Sequence, residues 1–515
     1  MNKLYRKLLL LLSLIIIIGY YILPQESPLP LLLPLKSPLI QQPDYVITDI
    51  DLIKCYHKCS IPPNYQQIYP NIDSVAKSKV ISYNIIIKSE PLDQAQEVIV
   101  DVSTEPIDES YQQIANFNKY KLYKKSIPIS DNVNEPPQIR SIEVLFGNNE
   151  FQDPRPQHQT IHLPGDTLLH PILSLNKSPS TLPSQQYNEI IQHSRDKYKI
   201  MQLSDLHIGQ TDRQCHNSKC FADSKTINFV DDAIQAEKPD MVVLTGDIFD
   251  IDRTRDYKSV LIKALSPILK HSLPFLYIFG DELNRIPDGP ERQEVKTSIL
   301  EYLSTLPGCL NDQIAENGKF LPYMDLEVRY KSESILITSL DSENLNDGHM
   351  SHIYRKARMD DDDDNDSKKQ YDYKLLFFHH PLGEFRPVGK FKLVGSYNEK
   401  HPLGTATGMV RDMINCGYAA VGVGHEHEND ACILYPEDDG KEERENKKSQ
   451  KKKKAKKIWL CYSGVTGDSG ITKLNRDYDR RMRMFEVDFE LKRILSWKRT
   501  ESDRKAFDYQ QVYPL

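Results

Sequence analysis

The sequence predicts an α/β fold with a largely parallel sheet whose edge carries metal-binding side chains. Two observations support this prediction: short apolar runs that each end at an acidic residue or a histidine, and amphipathic helical segments between those runs. Runs rich in β-branched and aromatic residues and bounded by glycine or proline are typical of buried strands. The residues that follow the runs are Asp205-Leu206-His207, Gly246-Asp247, Gly280-Asp281-Glu282, His379-His380 and Gly424-His425-Glu426-His427.

The segment between the first two runs is predicted to be a helix. Residues 225–237 place Ile227, Val230 and Ile234 on one helical face, which is the spacing of an amphipathic helix. A strand, a helix and a second strand in this order make the two strands parallel neighbours. Further helices are predicted around residues 260–265, ending near Pro267, and around residues 295–306.

The residues at the strand ends are predicted to form a dinuclear metal site. In open α/β sheets, ligands bind outside the carboxyl ends of the strands, so these carboxylates and imidazoles should meet at one edge. Oxygen and nitrogen donors in this mixture suit Zn, Fe, Mn and related ions. Asp247 has candidate ligands on both sides in the chain and could bridge two ions. A site with two ions favours a hydrolytic reaction.

Length and charge limit the function classes. A chain of 515 residues has room for two or three domains. Its formal net charge of −7 argues against general nucleic-acid binding, because affinity for a phosphate backbone comes chiefly from clustered Lys and Arg. We therefore expect no nucleic-acid partner.

The amino terminus predicts membrane attachment. Lys3, Arg6 and Lys7 precede an uncharged apolar stretch, and no cleavage site of small residues follows it. This pattern favours an uncleaved signal anchor over residues 1–23 rather than a cleaved signal peptide. The positive flank would stay in the cytoplasm, which predicts a single-pass membrane protein with its carboxyl-terminal bulk in the lumen or outside the cell. A cytoplasmic protein is the alternative.

Five further segments are distinguished by composition. Residues 24–44 are rich in proline and predict an extended stalk. Residues 45–192 contain short β-like runs without a ligand constellation and predict a small β-rich domain, whereas residues 198–500 carry the candidate ligands. Charged runs near 357–372 and 437–457 are typical of solvated insertions.

Two pairs of cysteines lie close together in the sequence. Cys55 is near Cys59, and Cys215 is near Cys220. Either pair could form a local disulfide in an oxidising lumen or remain as two free thiols. The sequence leaves both readings open.

The ordered set of motifs resembles the calcineurin-like metallophosphoesterases, and in particular a fungal branch related to purple acid phosphatases. Residues 198–500 carry the resemblance, through the strand that ends at Asp205-Leu206-His207, through His379-His380-Pro381 and through Gly424-His425-Glu426-His427. The resemblance implies a four-layer α-β-β-α metallophosphoesterase sandwich. It also implies two divalent or trivalent metal ions, which could be Mn, Fe, Zn or Mg.

The resemblance assigns ligands to each ion. It implies Asp205, His207, Asp247 and His427 around the first ion. Asp247 would bridge to the second ion, which His379 and His425 would also bind. Asp250 would orient a ligand or the adjacent loop.

The chain departs from the family pattern after the third strand. The family has Gly-Asn-His there, with Asn as a ligand of the second ion, whereas this chain has Gly280-Asp281-Glu282. Under a substitution, Asp281 replaces the Asn ligand and Glu282 replaces the His. Under a deletion of three residues, Asp281 and Glu282 match acidic residues that follow the motif. The usual catalytic His is absent in both alignments, and the candidate replacements are Glu282 and His380.

The predicted function is hydrolysis of phosphomonoesters, with a phosphorylated protein or a small phosphoester as substrate. Two ions about 3.5–4 Å apart can share a bridging hydroxide and stabilise the charge on the phosphoryl group. General acid assistance typically contributes 10²–10⁴ in rate, so we expect slow turnover of alkyl esters. The alternative is a degenerate relative that binds metal or phosphoprotein without efficient turnover. A nuclease or nucleotide phosphodiesterase is the third reading, and the oligomeric state is not predicted.

Overall fold

A computed structural model describes the greater part of the chain from residue 45 onward. The described residues are 45–56, 59–73, 81–117, 120–129, 138–148, 151–164, 170–178, 190–209, 221–250, 254, 256–315, 318–343, 371–399, 408–435, 457–468, 479–503 and 505–514. The predicted anchor and stalk, almost all of both charged insertions, and Cys215 and Cys220 lie outside these residues. No helix among the described residues is both long enough and apolar enough to cross a membrane.

The amino-terminal part consists of three small antiparallel sheets that share one apolar core. Side chains from all three sheets, such as Ile85, Leu122 and Leu173, are buried together in this core. The strand orders are β1-β3-β2, β4-β6-β5 and β7-β9-β8. The strands are β1 (Tyr45–Tyr56), β2 (Gln66–Gln67), β3 (Ile81–Pro91), β4 (Glu97–Ser103), β5 (Gln112–Asn116), β6 (Lys121–Pro128), β7 (Gln138–Gly147), β8 (His158–His162) and β9 (His170–Ser178).

A six-stranded sheet carries the first three of the predicted ligand-bearing strands. Its order is β13-β12-β11-β21-β22-β23. The first three strands are parallel, and the last three pair antiparallel. The strands are β11 (Lys197–Leu203), β12 (Met241–Thr245), β13 (Phe275–Ile278), β21 (Arg481–Asp488), β22 (Arg493–Thr500) and β23 (Phe507–Tyr513).

An eight-stranded sheet carries the other two predicted ligand-bearing strands, which precede His379 and His425. Its order is β10-β14-β15-β16-β18-β20-β19-β17, and β15, β16, β18 and β20 are parallel. The strands are β10 (Ile190–Gln192), β14 (Tyr323–Tyr330), β15 (Glu333–Leu340), β16 (Tyr373–Phe377), β17 (Lys392–Val394), β18 (Ala420–Val423), β19 (Cys432–Leu434) and β20 (Trp459–Tyr462).

The two sheets face each other, and helices cover both outer faces. Ile200 and Val243 of one sheet share a buried core with Ile337 and Leu375 of the other. On the outer face of the six-stranded sheet lie α1 (Ala222–Glu237), α2 (Tyr257–Lys270) and α3 (Pro290–Ser304). On the outer face of the eight-stranded sheet lie α4 (Met409–Asn415) and the 3₁₀ turn Gly383–Phe385. These layers confirm the predicted α/β fold.

Local chemistry explains the bounds of α2. Asp256 caps its amino terminus by accepting hydrogen bonds from the backbone N–H groups of Lys258 and Ser259. The prediction that this helix ends near Pro267 is wrong, because it continues to Lys270. Proline has no N–H to donate to the carbonyl four residues earlier. The hydroxyl of Ser266 donates to that carbonyl of Lys263 instead, over 2.8 Å.

The amino-terminal sheets pack against the helical layer of the six-stranded sheet. The backbone N–H of Phe146 on β7 donates to Oγ of Ser259 on α2 over 2.8 Å. The hydroxyl of Tyr302 on α3 lies 3.4 Å from the Glu143 carboxylate. This contact is on the outer side of the helices, whereas the candidate ligands lie at the strand ends.

Two disulfides lie among the described residues. One joins Cys55 to Cys59, a pair for which the sequence left both a disulfide and free thiols open. The other joins Cys432 on β19 to Cys461 on β20, and it was not predicted. These two cysteines are 29 residues apart in sequence, and the antiparallel pairing of the strands brings them opposite each other.

Candidate metal centre

The candidate ligands meet because neighbouring parallel strands end at one level. The backbone N–H of Asp205, after β11, donates to the carbonyl of Gly246, after β12, over 3.0 Å. The N–H of His207 donates to the carbonyl of Asp247 over 2.9 Å. In the other sheet, the N–H of Gly424 donates to the carbonyl of His379 over 3.0 Å. These bonds tie the ligand-bearing loops together within each sheet.

Four candidate ligands have a left-handed backbone conformation. A positive φ is uncommon for residues other than glycine, and it typically costs about 1–3 kcal/mol at each position. Tertiary contacts must offset this cost, so the fold holds the loops in turns that direct the side chains towards one another. The four residues are Asp205 (φ 55°), His207 (φ 47°), Asp247 (φ 53°) and His425 (φ 69°).

The first cluster consists of Asp205, His207, Asp247 and His427. One potential ligand atom from each lies within 4.8 Å of all the others. Nε2 of His207 lies 3.6 Å from Oδ2 of Asp247 and 3.3 Å from Nε2 of His427. Nε2 of His427 lies 3.5 Å from Oδ1 of Asp205. The structure therefore brings together all four residues predicted for the first ion.

The second cluster consists of Asp281, His379, His380 and His425, whose ligand atoms also lie within 4.8 Å of one another. Oδ2 of Asp281 lies 3.1 Å from Nδ1 of His425, and Oδ1 lies 2.9 Å from Nε2 of His380. Oδ1 of Asp247 lies 3.6 Å from Nε2 of His379. Asp247 thus faces both clusters, with one carboxylate oxygen towards each.

The position of Asp281 favours the substitution alignment over the deletion. Its carboxylate lies within the second cluster, where the family pattern has an Asn ligand, and its backbone N–H donates to Oδ1 of Asp247. A deletion would have left the second cluster without a side chain from this loop.

Glu282 lies beside the site but faces away from it. Its Oε1 accepts hydrogen bonds from the N–H of Ile248 and the hydroxyl of Tyr277, each over 3.0 Å. Its Oε2 accepts from the N–H of Gly280 over 2.6 Å. Burial raises the pKa of Glu282 to about 7. Both carboxylate oxygens therefore hold the loops around Asp247 and Asp281, and the role of Glu282 as a proton donor to substrate stays a prediction.

Two glycines allow the loops to approach this closely. A Cβ atom on Gly280 would lie 2.5 Å from the backbone nitrogen of Asp247 and 2.7 Å from its Oδ1. A Cβ atom on Gly246 would lie 2.5 Å from Nδ1 of His379, and Gly246 also has a φ of 89°. Any side chain at either position would push the candidate ligands apart.

The electrostatics of the cluster favour a bound cation. Burial and the nearby charges of Asp205, Glu282 and Asp281 raise the pKa of Asp247 well above its usual value. Burial also raises the pKa of Asp205, but the hydrogen bond and charge of His427 outweigh it and lower that pKa. The centre therefore contains more carboxylate charge than its own histidines offset, and a metal ion would supply the missing positive charge.

Two buried polar atoms in the centre fit the same conclusion. Burial lowers the pKa of His379 to about 3, and its Nδ1 lies 2.7 Å from the carbonyl oxygen of Thr245. Because a carbonyl oxygen only accepts, Nδ1 carries the hydrogen and Nε2 presents a lone pair. Among the buried polar atoms of the described residues, Nε2 of His379 has no hydrogen-bond partner, and Oδ1 of Asp205 has only the 3.5 Å contact with Nε2 of His427. Such buried acceptors are satisfied by a metal ion, so these residues fit the two implied ions.

Of two other residues near the centre, one was predicted from the sequence and one was not. Asp250, predicted to orient a ligand or the adjacent loop, donates its backbone N–H to the carbonyl of Ile208 over 3.2 Å, and the role of its side chain stays a prediction. Ser342, which was missed, accepts hydrogen bonds from the N–H groups of His379 and His380. The signal that could have found it was present, since Ser342 follows the apolar strand β15 just as the candidate ligands follow theirs.

Comparisons with known proteins agree with this geometry. Residues 198–429 match the calcineurin-like phosphoesterase family. The chain is 32% identical over 332 residues to Protein SIA1 of Kluyveromyces lactis, covering 62% of this chain and 51% of that protein. It is 27% identical over 360 residues to Phosphatase DCR2 of Saccharomyces cerevisiae, covering 61% and 56%. The match therefore spans about half the length of these fungal relatives.

One plant relative carries the word inactive in its name. The chain is 25% identical over 339 residues to Probable inactive purple acid phosphatase 29 of Arabidopsis thaliana, covering 59% of this chain and 80% of that protein. The strand-end ligands and the family match lead to the same assignment. The chain contains a calcineurin-like phosphoesterase domain, as its motifs predicted.

Proposed function

We propose that this protein is a metal-dependent phosphatase that hydrolyses phosphomonoesters. The observation that carries the proposal is the pair of clusters on either side of Asp247, whose two carboxylate oxygens each lie 3.6 Å from a histidine Nε2. A bridging carboxylate between two sets of nitrogen and oxygen donors is the arrangement that a dinuclear hydrolytic site requires.

The proposed ligand sets follow from the two clusters. Asp205, His207, Asp247 and His427 would hold the first ion, and Asp247, Asp281, His379 and His425 would hold the second. When bound, the two ions supply a water of lowered pKa and stabilise charge on the phosphoryl oxygens. This donor set suits Mn, Fe, Zn or Mg.

Asp281 changes the balance of charge at the second ion. An Asn ligand is neutral, whereas an Asp ligand adds one negative charge. This charge strengthens the attraction for a cation and weakens the attraction for an anionic phosphate. Burial raises the pKa of Asp281, but hydrogen bonds from His380 and His425 outweigh it and lower that pKa. The Asp281 carboxylate is therefore charged at neutral pH.

The leaving group receives little help from Glu282, because its carboxyl group is bound to Gly280, Ile248 and Tyr277. Without a general acid, we expect the enzyme to favour aryl phosphates, whose leaving groups depart without protonation. A phosphorylated protein or a small phosphoester could be the natural substrate.

The test uses the purified full-length protein, with metal content and hydrolysis of p-nitrophenyl phosphate as readouts. Two ions per chain together with hydrolysis would support the proposal. The Asp247→Asn variant should lose both. The Asp231→Asn variant, which changes a carboxylate on α1 paired with Lys270, should keep both. A wild-type chain that binds no metal would contradict the proposal.

A second candidate function is phosphoprotein binding without efficient turnover. It is favoured by the replacement of the usual catalytic His at Glu282 and by the hydrogen bonding of that side chain to its own loop. Two bound ions with saturable phosphopeptide binding but no hydrolysis would favour this candidate over the enzyme.

The location forms a separate part of the proposal. Lys3, Arg6 and Lys7 before the apolar stretch support a signal anchor, and the Cys55–Cys59 disulfide fits an oxidising compartment. We expect the part of the chain after the anchor to be protected from added protease in intact microsomes. Its digestion without detergent would contradict a lumenal location.

A further inference from the structure

His380 lies next to the candidate ligand His379 and contacts Asp281. We propose that Ser342 fixes the ring hydrogen of His380 on Nε2, so that His380 donates a hydrogen bond to Asp281 and is not a ligand of the second ion. His380 would then be a positioning residue that holds Asp281. This inference rests on the proposed metal centre for its effect on metal binding, but the hydrogen position itself does not.

The Nδ1 side of the His380 ring faces the hydroxyl of Ser342. Oγ of Ser342 accepts the backbone N–H of His379 over 3.2 Å and that of His380 over 2.9 Å. It also lies 3.0 Å from Nδ1 of His380. A hydroxyl group has two lone pairs and one hydrogen. Because the two N–H groups use both lone pairs, the Ser342 hydroxyl must donate to Nδ1, which therefore carries no hydrogen.

The opposite side of the His380 ring faces the carboxylate of Asp281. Nε2 of His380 lies 2.9 Å from Oδ1 of Asp281. An ionised carboxylate has only acceptor sites, so this short contact is favourable when Nε2 carries the hydrogen. This contact fits the tautomer that Ser342 requires, but it does not decide it, because Nδ1 of the candidate ligand His425 lies at a similar distance of 3.1 Å from the same carboxylate. The hydroxyl of Ser342 is what distinguishes His380.

His379 has the opposite tautomer, although it is the adjacent residue. Its Nδ1 donates to the carbonyl oxygen of Thr245, which leaves a lone pair on the buried Nε2. A metal ion needs that lone pair. The backbone carbonyl of Thr245 therefore makes His379 a ligand, whereas the hydroxyl of Ser342 makes His380 a donor.

The arrangement explains how an Asp can replace the neutral Asn ligand. The N–H of His380 offsets part of the added negative charge and fixes the orientation of the Asp281 carboxylate. Partners that orient a ligand in this way typically contribute 10–100-fold to metal affinity. The pair Asp281 and His380 would together replace the single Asn.

Ser342 is held in place by buried charges on both sides. Lys296 on α3 is almost fully buried and pairs with Asp341 and, over 2.8 Å, with Glu343. Arg292, one turn earlier on the same helix, also pairs with Glu343. These contacts fix residues 341–343, so the Ser342 hydroxyl has a defined position opposite His380.

The first experiment reads the hydrogen positions directly. The full-length protein is labelled with ¹⁵N-histidine, freed of metal and studied by two-bond ¹H–¹⁵N correlation, with His380→Gln used for assignment. We expect the hydrogen of His380 on Nε2 and that of His379 on Nδ1. The Ser342→Ala variant should lose the preference at His380, and Ser342→Thr, which keeps a hydroxyl, should retain it. A hydrogen on Nδ1 of His380 in the wild type would overturn the proposal.

The second experiment separates a positioning residue from a ligand. Co²⁺ is titrated into the metal-free wild type and variants, and absorption reports both the number of ions and their ligand environment. His380→Ala should still bind two ions, with the second about 10–100-fold weaker and the first unchanged. His380→Gln, which keeps an N–H, should lie closer to wild type.

Two outcomes of the titration have distinct meanings. Loss of the second ion, or a changed absorption band for it in His380→Gln, would show that His380 is a ligand and would overturn the inference. A wild type that binds no Co²⁺ would contradict the proposed metal centre and the effect of His380 on it, while the ¹⁵N result would still decide the tautomer.

Discussion

The two clusters of candidate ligands differ in burial and in composition. In the first, the side chain of Asp205 is fully buried and that of His427 is 15% exposed. In the second, the side chains of Asp281 and His425 are 25% and 41% exposed. The first cluster also follows the family pattern at every position, whereas the second contains Asp281 and His380. The comparison indicates that the first cluster is the more buried of the two, whereas the second is open to solvent at Asp281 and His425 although its His379 is fully buried.

The shared residue should give the largest effect. Asp247→Asn replaces one carboxylate oxygen by NH2 and removes the negative charge that both clusters share, so we expect both ions to be lost. Hydrolysis should fall by more than the 10²–10³-fold that the loss of one electrostatic contact typically costs. Steady-state rates with p-nitrophenyl phosphate and metal analysis measure this. Retention of the first ion at full occupancy would show that Asp247 does not serve both clusters.

The absence of the usual catalytic His should give the next effect. Relative to an enzyme that has a general acid, we expect the preference for an aryl over an alkyl phosphate to be larger by about 10²–10⁴. Paired kcat/KM values for p-nitrophenyl phosphate and phosphoserine measure the preference. Glu282→Gln, which keeps hydrogen-bonding capacity in the loop, should leave it unchanged. If this variant slowed phosphoserine selectively, Glu282 would be acting as a proton donor.

The loop of the second cluster should be sensitive to a single methyl group. Gly280→Ala places Cβ too close to the backbone nitrogen of Asp247. A displacement of about 1 Å in an active site can reduce the rate about 10²-fold, so we expect a loss of this order in kcat/KM. Metal titration of the same variant serves as its control. Because the clash is with Asp247, which faces both clusters, we expect weaker binding of both ions, and unchanged affinity for both would contradict a steric effect on the centre.

The smallest expected effect is a difference between the two ions in the unaltered protein. Because the second cluster is more exposed, its ion should be removed at a chelator concentration about tenfold lower than the first. Stepwise dialysis with metal analysis measures the order. Loss of both ions in one step would remove the distinction between the clusters.

Much of the centre could be predicted because its residues are tied to local patterns. The apolar runs before Asp205, Asp247, His379 and His425 are readable as strands, and parallel strands present their carboxyl ends at one edge. Resemblance to a known family supplied the assignment of ligands to each ion. The number of strands without candidate ligands in each sheet and the disulfide between Cys432 and Cys461 could not be predicted, because they depend on pairing between distant segments.

The sequence by itself determined which chemical groups are available and at which strand ends they stand, since side-chain alternation and helical periodicity are local properties of the chain. Tertiary structure alone decided the direction in which each group points. It directs the side chain of Glu282 towards the backbone of its own loop. It also places Asp281 beside three histidines and Ser342 opposite His380. The physical reason is that a hydrogen bond depends on distances between loops that are far apart in the chain, and only the packed sheets fix those distances.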